Sequence, residues 1–569
     1  MLITEILARN ARVYGDEIAL IERDPANNSR RQITWEQFDA EANRVANALI
    51  ARGIRKGDRV VHLMMNCIEW LPTYFGILRT GAWVVPLNFR FSGDDIKHCC
   101  EIAGAKTLVF GDEFIDRVAS VKTELDKTIE NYIFVGPHNK QPDDCQLYSD
   151  CLTSANVQNP AIPIDLLDNA GLYFTSGTTG KPKAVLLTHR NLEHACYVEN
   201  RHHNQSHDDN FLCIPPLYHT GAKMHWFGNF IVGAKGVILK GIKPEYILQA
   251  ISEEKITIVW LLVPWAHDIL IAIENKEIDI ADYELGQWRL MHMGAQPIPP
   301  SLINNWQKIF PHHDYDTNYG LTETTGPGCV HLGLENTAKV GAIGVPGFDW
   351  ECRIVDFELQ PLPQGESGEL LVKGPGVMKE YYKNPKATAA TLKDGWLLTG
   401  DIARIDEDGF IWLVDRAKDI IITGGENIFP VEIESHIMGH PKVQDVGVIG
   451  LPGKWSSEAL ANAVQARTGE LLLFDMTDVR LDLADNILWH GDRNLCELDA
   501  LIVKKISAEY SPHTLDRLEL LRAAESAGVR VFSPALSILR LIDRLSCTVT
   551  LRNAGIPMPE TRVTGNTAD

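Results

Sequence analysis

Between two apolar runs, 170–174 and 184–187, the chain carries Thr175-Ser176-Gly177-Thr178-Thr179-Gly180-Lys181-Pro182-Lys183. These residue types suit the holding of phosphate. Glycines let the backbone come close to a phosphate, hydroxyls and amides donate to its oxygens, and lysines neutralise its charge. The apolar runs read as strands, so the segment is the turn between them. A Walker A loop is excluded, because it needs glycine five residues before its Gly-Lys pair and Ser or Thr after it. Those places hold Thr175 and Pro182. A Ser/Thr/Gly-rich turn by itself is commonly an ordinary hairpin, so the rest of the chain has to decide.

The elements around that loop alternate between strand-like and helix-like for most of the chain, which is the pattern of an α/β protein. Residues 17–21 and 59–64 read as strands, and 34–52 has helical apolar spacing with Thr34 as its cap and Glu36 close behind. Residues 69–80 and 81–86 repeat the helix-then-strand order, and 406–409 reads as the turn of a hairpin. At 569 residues the chain exceeds one ordinary core, so two or three domains are expected. A net charge of −21 with no Lys/Arg cluster argues against nucleic acid and anionic membranes as partners. A small polyanion needs only a locally basic site. No apolar stretch reaches the roughly eighteen residues of a membrane span, and Met1-Leu2-Ile3-Thr4-Glu5 lacks the plan of a signal peptide. Eleven cysteines without Cys-x-x-Cys spacing read as reduced thiols, which fits a cytoplasmic protein.

Tyr173 to Lys183 as a whole resembles the phosphate loop of the adenylate-forming enzymes, the superfamily of acyl-CoA synthetases, peptide-synthetase adenylation domains and luciferases. Further segments resemble that family in the family's order. Tyr218-His219-Thr220-Gly221 stands where the family has an aromatic or histidine beside the acyl pocket, and Gly294-Ala295-Gln296-Pro297 where a segment lies against adenine. Asn318-Tyr319-Gly320-Leu321-Thr322-Glu323 resembles the motif whose aromatic stacks on adenine, whose threonine touches the α-phosphate and whose glutamate holds magnesium. A carboxylate such as Glu323 is a hard oxygen ligand suited to Mg2+, and the resemblance adds Thr175 as a second metal contact. Asp401, in Thr399-Gly400-Asp401, matches the aspartate that takes both ribose hydroxyls, a task that suits its two oxygens. Arg416 matches an arginine near ribose and phosphate, and Lys418 the hinge between large and small domains. Gly424-Gly425-Glu426-Asn427 matches the loop that lines the pantetheine tunnel of CoA ligases. For the acyl pocket, the tryptophan-rich stretches near the expected site point to His219, Trp226, Val263 and Trp265.

The resemblance covers residues 1 to about 457 and then stops. It implies a large AMP-binding domain over 1–415 and a partial small α+β domain over 416–457. The family's closing Pro-x-x-x-x-Gly-Lys segment, whose lysine contacts carboxylate and α-phosphate, is not found: Lys504 and Lys505 are the only lysines of 458–569, and they follow an apolar run. That tail begins a new alternation, with strand-like segments at 471–474, 487–489, 500–503 and 529–532 and a helix over 514–527, a Rossmann-like domain without Gly-x-Gly-x-x-Gly. Its end, with Gly555-Ile556-Pro557-Met558-Pro559-Glu560-Thr561, resembles the amino-terminal domain of ATP-grasp glutamate ligases, whose ATP-binding subdomains are expected to be missing.

The resemblance implies a carboxylate–CoA ligase using Mg2+, with ATP and CoA as co-substrates, forming an acyl-adenylate and pyrophosphate and then a thioester and AMP. Its acid is expected to be a medium- or long-chain fatty acid, and a homodimer is possible. Two alternatives stand beside it: an acyl-AMP ligase that loads a carrier protein, and a nucleotide-binding fusion that turns over poorly for want of the lysine segment.

Overall fold

The computed structural model describes residues 1–175, 182–294, 298–326, 328, 330–331 and 337–416, and beyond them 421–423, 426–428, 479–482, 487–497, 500–502, 520, 522, 524, 526 and 529–532. The chain divides into two compact units, Met1–Ile449 and Gly450–Asp569.

The first unit is α/β and holds two large sheets. One has eight strands in the order Glu380–Tyr381, Lys183–Thr188, Asn169–Thr175, Trp83–Pro86, Arg59–Leu63, Thr107–Gly111, Asn131–Val135 and Gln146–Leu147. From Asn169–Thr175 onward its neighbours are parallel, while Lys183–Thr188 and Glu380–Tyr381 run antiparallel at the edge. The inner strands are near-continuous apolar runs, as expected of strands covered on both faces. The second sheet has seven strands, in the order Asp314–Asp316, Leu290–Gly294, Ile258–Leu262, Asn210–Cys213, Lys235–Leu239, Ile18–Asp24 and Ser29–Thr34. It too is parallel until its last strand, which returns as a hairpin.

Helices close these strands. Trp35–Ala51 starts at Thr34, whose Oγ1 accepts from the Gln37 amide at 3.2 Å while Gln37 Oε1 accepts from the Thr34 amide at 2.9 Å. The capping partner is therefore Gln37, three residues on, and Glu36 is instead a first-turn acid facing the helix dipole. Trp35, Phe38, Phe75, Phe227 and Phe230 are fully buried and in mutual ring contact, in the largest apolar core. Burying each such side chain is worth about 1.5–3 kcal/mol.

A third, antiparallel sheet places Glu351–Val355, Gly368–Lys373, Trp396–Ile405 and Leu392–Lys393 side by side, with Ile411–Arg416 also paired to Trp396–Ile405. Its 406–409 turn is fixed by Asp406, whose Oδ1 accepts from the Asp408 and Phe410 amides at 3.0 and 2.9 Å. Gly409 has φ of 87°, a conformation glycine adopts without a Cβ clash.

In the second unit, Val479–Asp482, Ile487–His490 and Arg493–Asn494 form an antiparallel sheet, and Ala500–Ile502 pairs in parallel with Arg530–Phe532. Residues 520, 522, 524 and 526, between the parallel strands, are helical. The Val479–Asp482 strand is an element the apolar runs of the tail did not reveal. The strand expected at 471–474 and the segment resembling the ATP-grasp turn, 553–561, lie outside the described residues. Among the described residues, no helix is long and apolar enough to cross a membrane.

Candidate active site

The antiparallel pairing of Asn169–Thr175 with Lys183–Thr188 sets Thr175 opposite Lys183, so the two residues flank the mouth of the expected phosphate loop. Ser176, Gly177, Thr178, Thr179, Gly180 and Lys181 lie outside the described residues. Behind the mouth, the hydroxyls of Tyr173 and Tyr74 are 2.8 Å apart in the core. Lys223 Nζ lies 4.7 Å from the centre of the Tyr173 ring and 5.4 Å from that of Tyr74, and it makes no hydrogen bond. Burial pushes this amine down to about 7.

Thr322, Glu323 and Thr324 form a single tight turn, closed by the Leu321 amide donating to Thr324 Oγ1 at 2.8 Å. The segment 376–381 straps it in place. The Met378 amide donates to the Glu323 carbonyl at 2.7 Å, and Thr325 Oγ1 donates to the Gly376 carbonyl at 2.6 Å. Tyr381 OH donates to Glu323 Oε1 at 2.6 Å, and Lys183 Nζ lies 5.2 Å from the centre of the same tyrosine ring. The Tyr381 phenol is pushed well above its ordinary range, first by burial and then by the Glu323 charge. Gly320 tolerates no side chain, since a Cβ there would fall 2.1 Å from the Gly326 carbonyl oxygen.

Tyr319, 8% exposed, donates its hydroxyl to Asp401 Oδ2, so the residues expected at adenine and at ribose are hydrogen-bonded to each other. Asp401 is held on the strand Trp396–Ile405, its amide donating to Thr399 Oγ1 at 3.1 Å. It stands opposite Arg416 in the register with Ile411–Arg416. The Arg416 side chain, Lys418, Gly424, Gly425, Ala295 and Gln296 lie outside the described residues. Glu426 and Asn427 are described only as backbone, in the strand Glu426–Ile428 paired with Ile421–Thr423.

His219 precedes the helix Thr220–Phe230, with its ring open to solvent yet crowded by protein. That crowding, with the charge of Lys223, pushes its imidazole down and keeps it neutral near pH 7. A Cβ on Gly221 would lie 3.7 Å from both His219 Nδ1 and the Trp260 ring, and a Cβ on Gly294 would lie 3.2 Å from Trp260 Nε1. Trp260 therefore lies against both Gly221, beside His219, and Gly294. His225 stacks on Trp260 with centroids 4.4 Å apart, and Asn318 Nδ2 lies 3.0 Å from His225 Nε2. Val263 and Trp265 begin the helix Val263–Glu274, Val263 buried and Trp265 half-buried against the second core. Trp226 is fully buried among Phe227 and Phe230, close enough that a Cβ on Gly236 would lie 2.4 Å from its Nε1. Its surroundings are those of the aromatic core.

Sequence reasoning missed Tyr381, Trp260 and His225. Tyr381 belongs to a two-residue strand with no periodicity to detect. Trp260 and His225 sit within apolar runs that read equally well as core.

A model of the family described as "AMP-binding enzyme" matches residues 7–382. A feruloyl-CoA synthase of Amycolatopsis sp. is 33% identical over 437 residues, spanning 76% of this chain and 84% of its own. A long-chain-fatty-acid–CoA ligase of Mycobacterium tuberculosis is 30% identical over 446 residues, 78% of this chain and 84% of its own. The ATP-bound structure of MatB from Rhodopseudomonas palustris superposes with a TM-score of 0.70 at 28% identity, over 80% of this chain and 86% of that one. With Thr175 and Lys183 at the loop mouth, Glu323 beside them through Tyr381, and Asp401 bonded to Tyr319, the chain belongs to the AMP-binding enzyme family, among its ATP-dependent, AMP-forming acid–CoA ligases.

Proposed function

We propose that this chain joins a carboxylic acid with an apolar tail to CoA through an acyl-adenylate, working in the cytoplasm. A substrate carboxylate oxygen attacks the α-phosphorus of ATP, forming the acyl–phosphate bond as the bond to pyrophosphate breaks. The CoA thiolate then attacks the acyl carbon, and AMP leaves with the bonding pair. No side-chain nucleophile is needed. The protein's part is to position the reactants and to stabilise developing charge.

The observation that carries this reading is the cluster Lys183–Tyr381–Glu323 at the mouth of the phosphate loop. Glu323 and Thr175 offer oxygen donors of the kind Mg2+ requires, and the ion would supply charge neutralisation on the phosphate oxygens. Glu323 Oε1 accepts from Tyr381, so the phenol fixes the carboxylate while Oε2 stays available to a cation. Tyr319 and Asp401 hold the nucleoside, and their mutual hydrogen bond orients both. His219, Gly221, Trp260 and Gly294, which lie together, are the residues proposed to line the acyl site. Two related enzymes are named for unlike acids, ferulic and long-chain fatty, and the acid proposed here has an apolar tail, a medium- or long-chain fatty acid or an aryl acid, on the strength of the aromatic residues around Trp260. Gly424 to Asn427 serve the pantetheine arm, and two copies of the chain associate as a homodimer.

The test is incubation with Mg-ATP, CoA and acids of graded length, followed by mass detection of the thioester. An apolar acid converted with AMP release supports the reading. Acylation of a carrier protein with CoA inert would move it to carrier loading.

A further inference from the structure

A polar cluster lies against Trp260. It joins Glu199 and His203 at the end of the helix His189–His202, His225 on Thr220–Phe230, His292 on Leu290–Gly294 and Asp316 on Asp314–Asp316. All five are buried, none exposed beyond 2%. His225 Nδ1 lies 2.5 Å from the Gly221 carbonyl and carries a proton; in the neutral ring its Nε2 accepts from His292 Nε2 at 2.8 Å, with Glu199 Oε1 3.2 Å away. His292 then has its lone pair on Nδ1. That atom is buried without a hydrogen-bond partner and faces Asp316 Oδ2 at 3.9 Å. An electron pair aimed at a carboxylate in a dry interior calls for a cation between them.

The geometry points to a binding site for a divalent transition metal of the zinc class, with His203 Nε2, His292 Nδ1 and Asp316 Oδ2 as its protein ligands. These three side chains can each present one donor atom within 4.8 Å of the others. Metal–ligand bonds of about 2.0–2.1 Å in a tetrahedron put donors roughly 3.3 Å apart. The pair His292–Asp316 at 3.9 Å and the pair His203–Asp316 at 2.7 Å bracket that spacing. Both imidazoles also have the outer partner that metal-bound histidines use: Glu199 Oε2 lies 3.0 Å from His203 Nδ1, and His225 accepts from His292 Nε2. Two nitrogens and one oxygen suit zinc-class ions and not Mg2+, which takes oxygen donors, so this ion is distinct from the one that accompanies ATP. It would tie His203, His292 and Asp316 together immediately before Asn318 and Tyr319. Its role is to hold the nucleotide side of the site in register.

The competing arrangement has no metal: burial lowers the His203 imidazole, but Glu199 and Asp316 overcome that and hold it up, at about 10, as a proton-bearing bridge. Metal content separates the two. The full chain is dialysed against Zn2+ and then metal-free buffer, without nucleotide or CoA, so the result does not depend on the ligase reading. We expect about one equivalent retained, at least tenfold less in His292→Gln, and a visible spectrum of tetrahedral Co2+ when cobalt replaces zinc. Retention unchanged in His292→Gln, or no retained metal in the wild type, overturns the site. Should the variant fail to fold by circular dichroism, the wild-type Co2+ spectrum decides alone, and its absence at tenfold excess cobalt is contrary.

Discussion

Tyr381 donates its phenolic hydrogen to Glu323 Oε1 at 2.6 Å, across a gap between two segments 58 residues apart in sequence. The same ring lies beneath Lys183, the last residue of the phosphate-loop motif. One tyrosine thus links the loop's lysine to the carboxylate expected to anchor magnesium.

Replacing Tyr381 by Phe removes that donor and leaves the ring beneath Lys183. Hydrogen bonds to charged groups contribute about 1.5–3 kcal/mol, and Glu323 is only half-buried, so the lower end applies. We expect adenylation to fall about tenfold, with the Mg2+ requirement shifted to higher concentration and little change in Tm. Adenylation and Mg2+ dependence equal to wild type would remove Tyr381 from the site.

Glu323→Gln keeps the size of the side chain and takes away its charge. Mg2+-dependent adenylation should drop at least about a hundredfold, as for other groups that stabilise developing charge, with circular dichroism unchanged. Activity within about threefold of wild type would show that another group holds the ion.

Lys223 is fully buried, without a hydrogen bond, and its amine is lowered to about 7. A lysine that releases its proton more readily when folded makes the folded state bind fewer protons than the unfolded one between about pH 7 and 10.5. Stability of the native chain therefore rises with pH across that window. Lys223→Met fills the same space without the amine, so its urea midpoint should exceed wild type most clearly below about pH 7. The difference should shrink towards pH 10. A midpoint below wild type at about pH 6.5 would show that the amine is satisfied in the folded chain.

The tail supplies a further expectation. As carboxylate and α-phosphate converge, two like charges approach, and residues 458–569 hold only Lys504 and Lys505 in place of the family's lysine segment. Losing one such contact costs on the order of 10²–10³ in rate. Grafting a complete small domain after Trp455 should accelerate adenylation by that order, and thioester formation from a pre-made acyl-adenylate by less. Equal adenylation in both proteins would show that the lysine is dispensable or that the tail provides it.

Much of the fold was legible because the parallel strands are long apolar runs separated by helical spacing; 59–64, 170–174 and 184–187 all appear as strands within about two residues. The resemblance singled out the loop, Tyr319 and Asp401, and the last two are joined by a hydrogen bond. Tyr381 was not, since its place depends on a two-residue strand returning to the sheet edge beside Lys183–Thr188. The histidine cluster was equally hidden. Its members come from separate helices and strands, and each alone reads as a core histidine. Trp226, a large ring near the expected pocket, is buried among Phe227 and Phe230.

The most direct measurement of the central claim is exchange of labelled pyrophosphate into ATP, dependent on an added carboxylic acid, in the full chain and in Glu323→Gln. Exchange should require both Mg2+ and an apolar acid and be abolished in the variant. No exchange with any acid, or exchange that persists undiminished in Glu323→Gln, would contradict that claim.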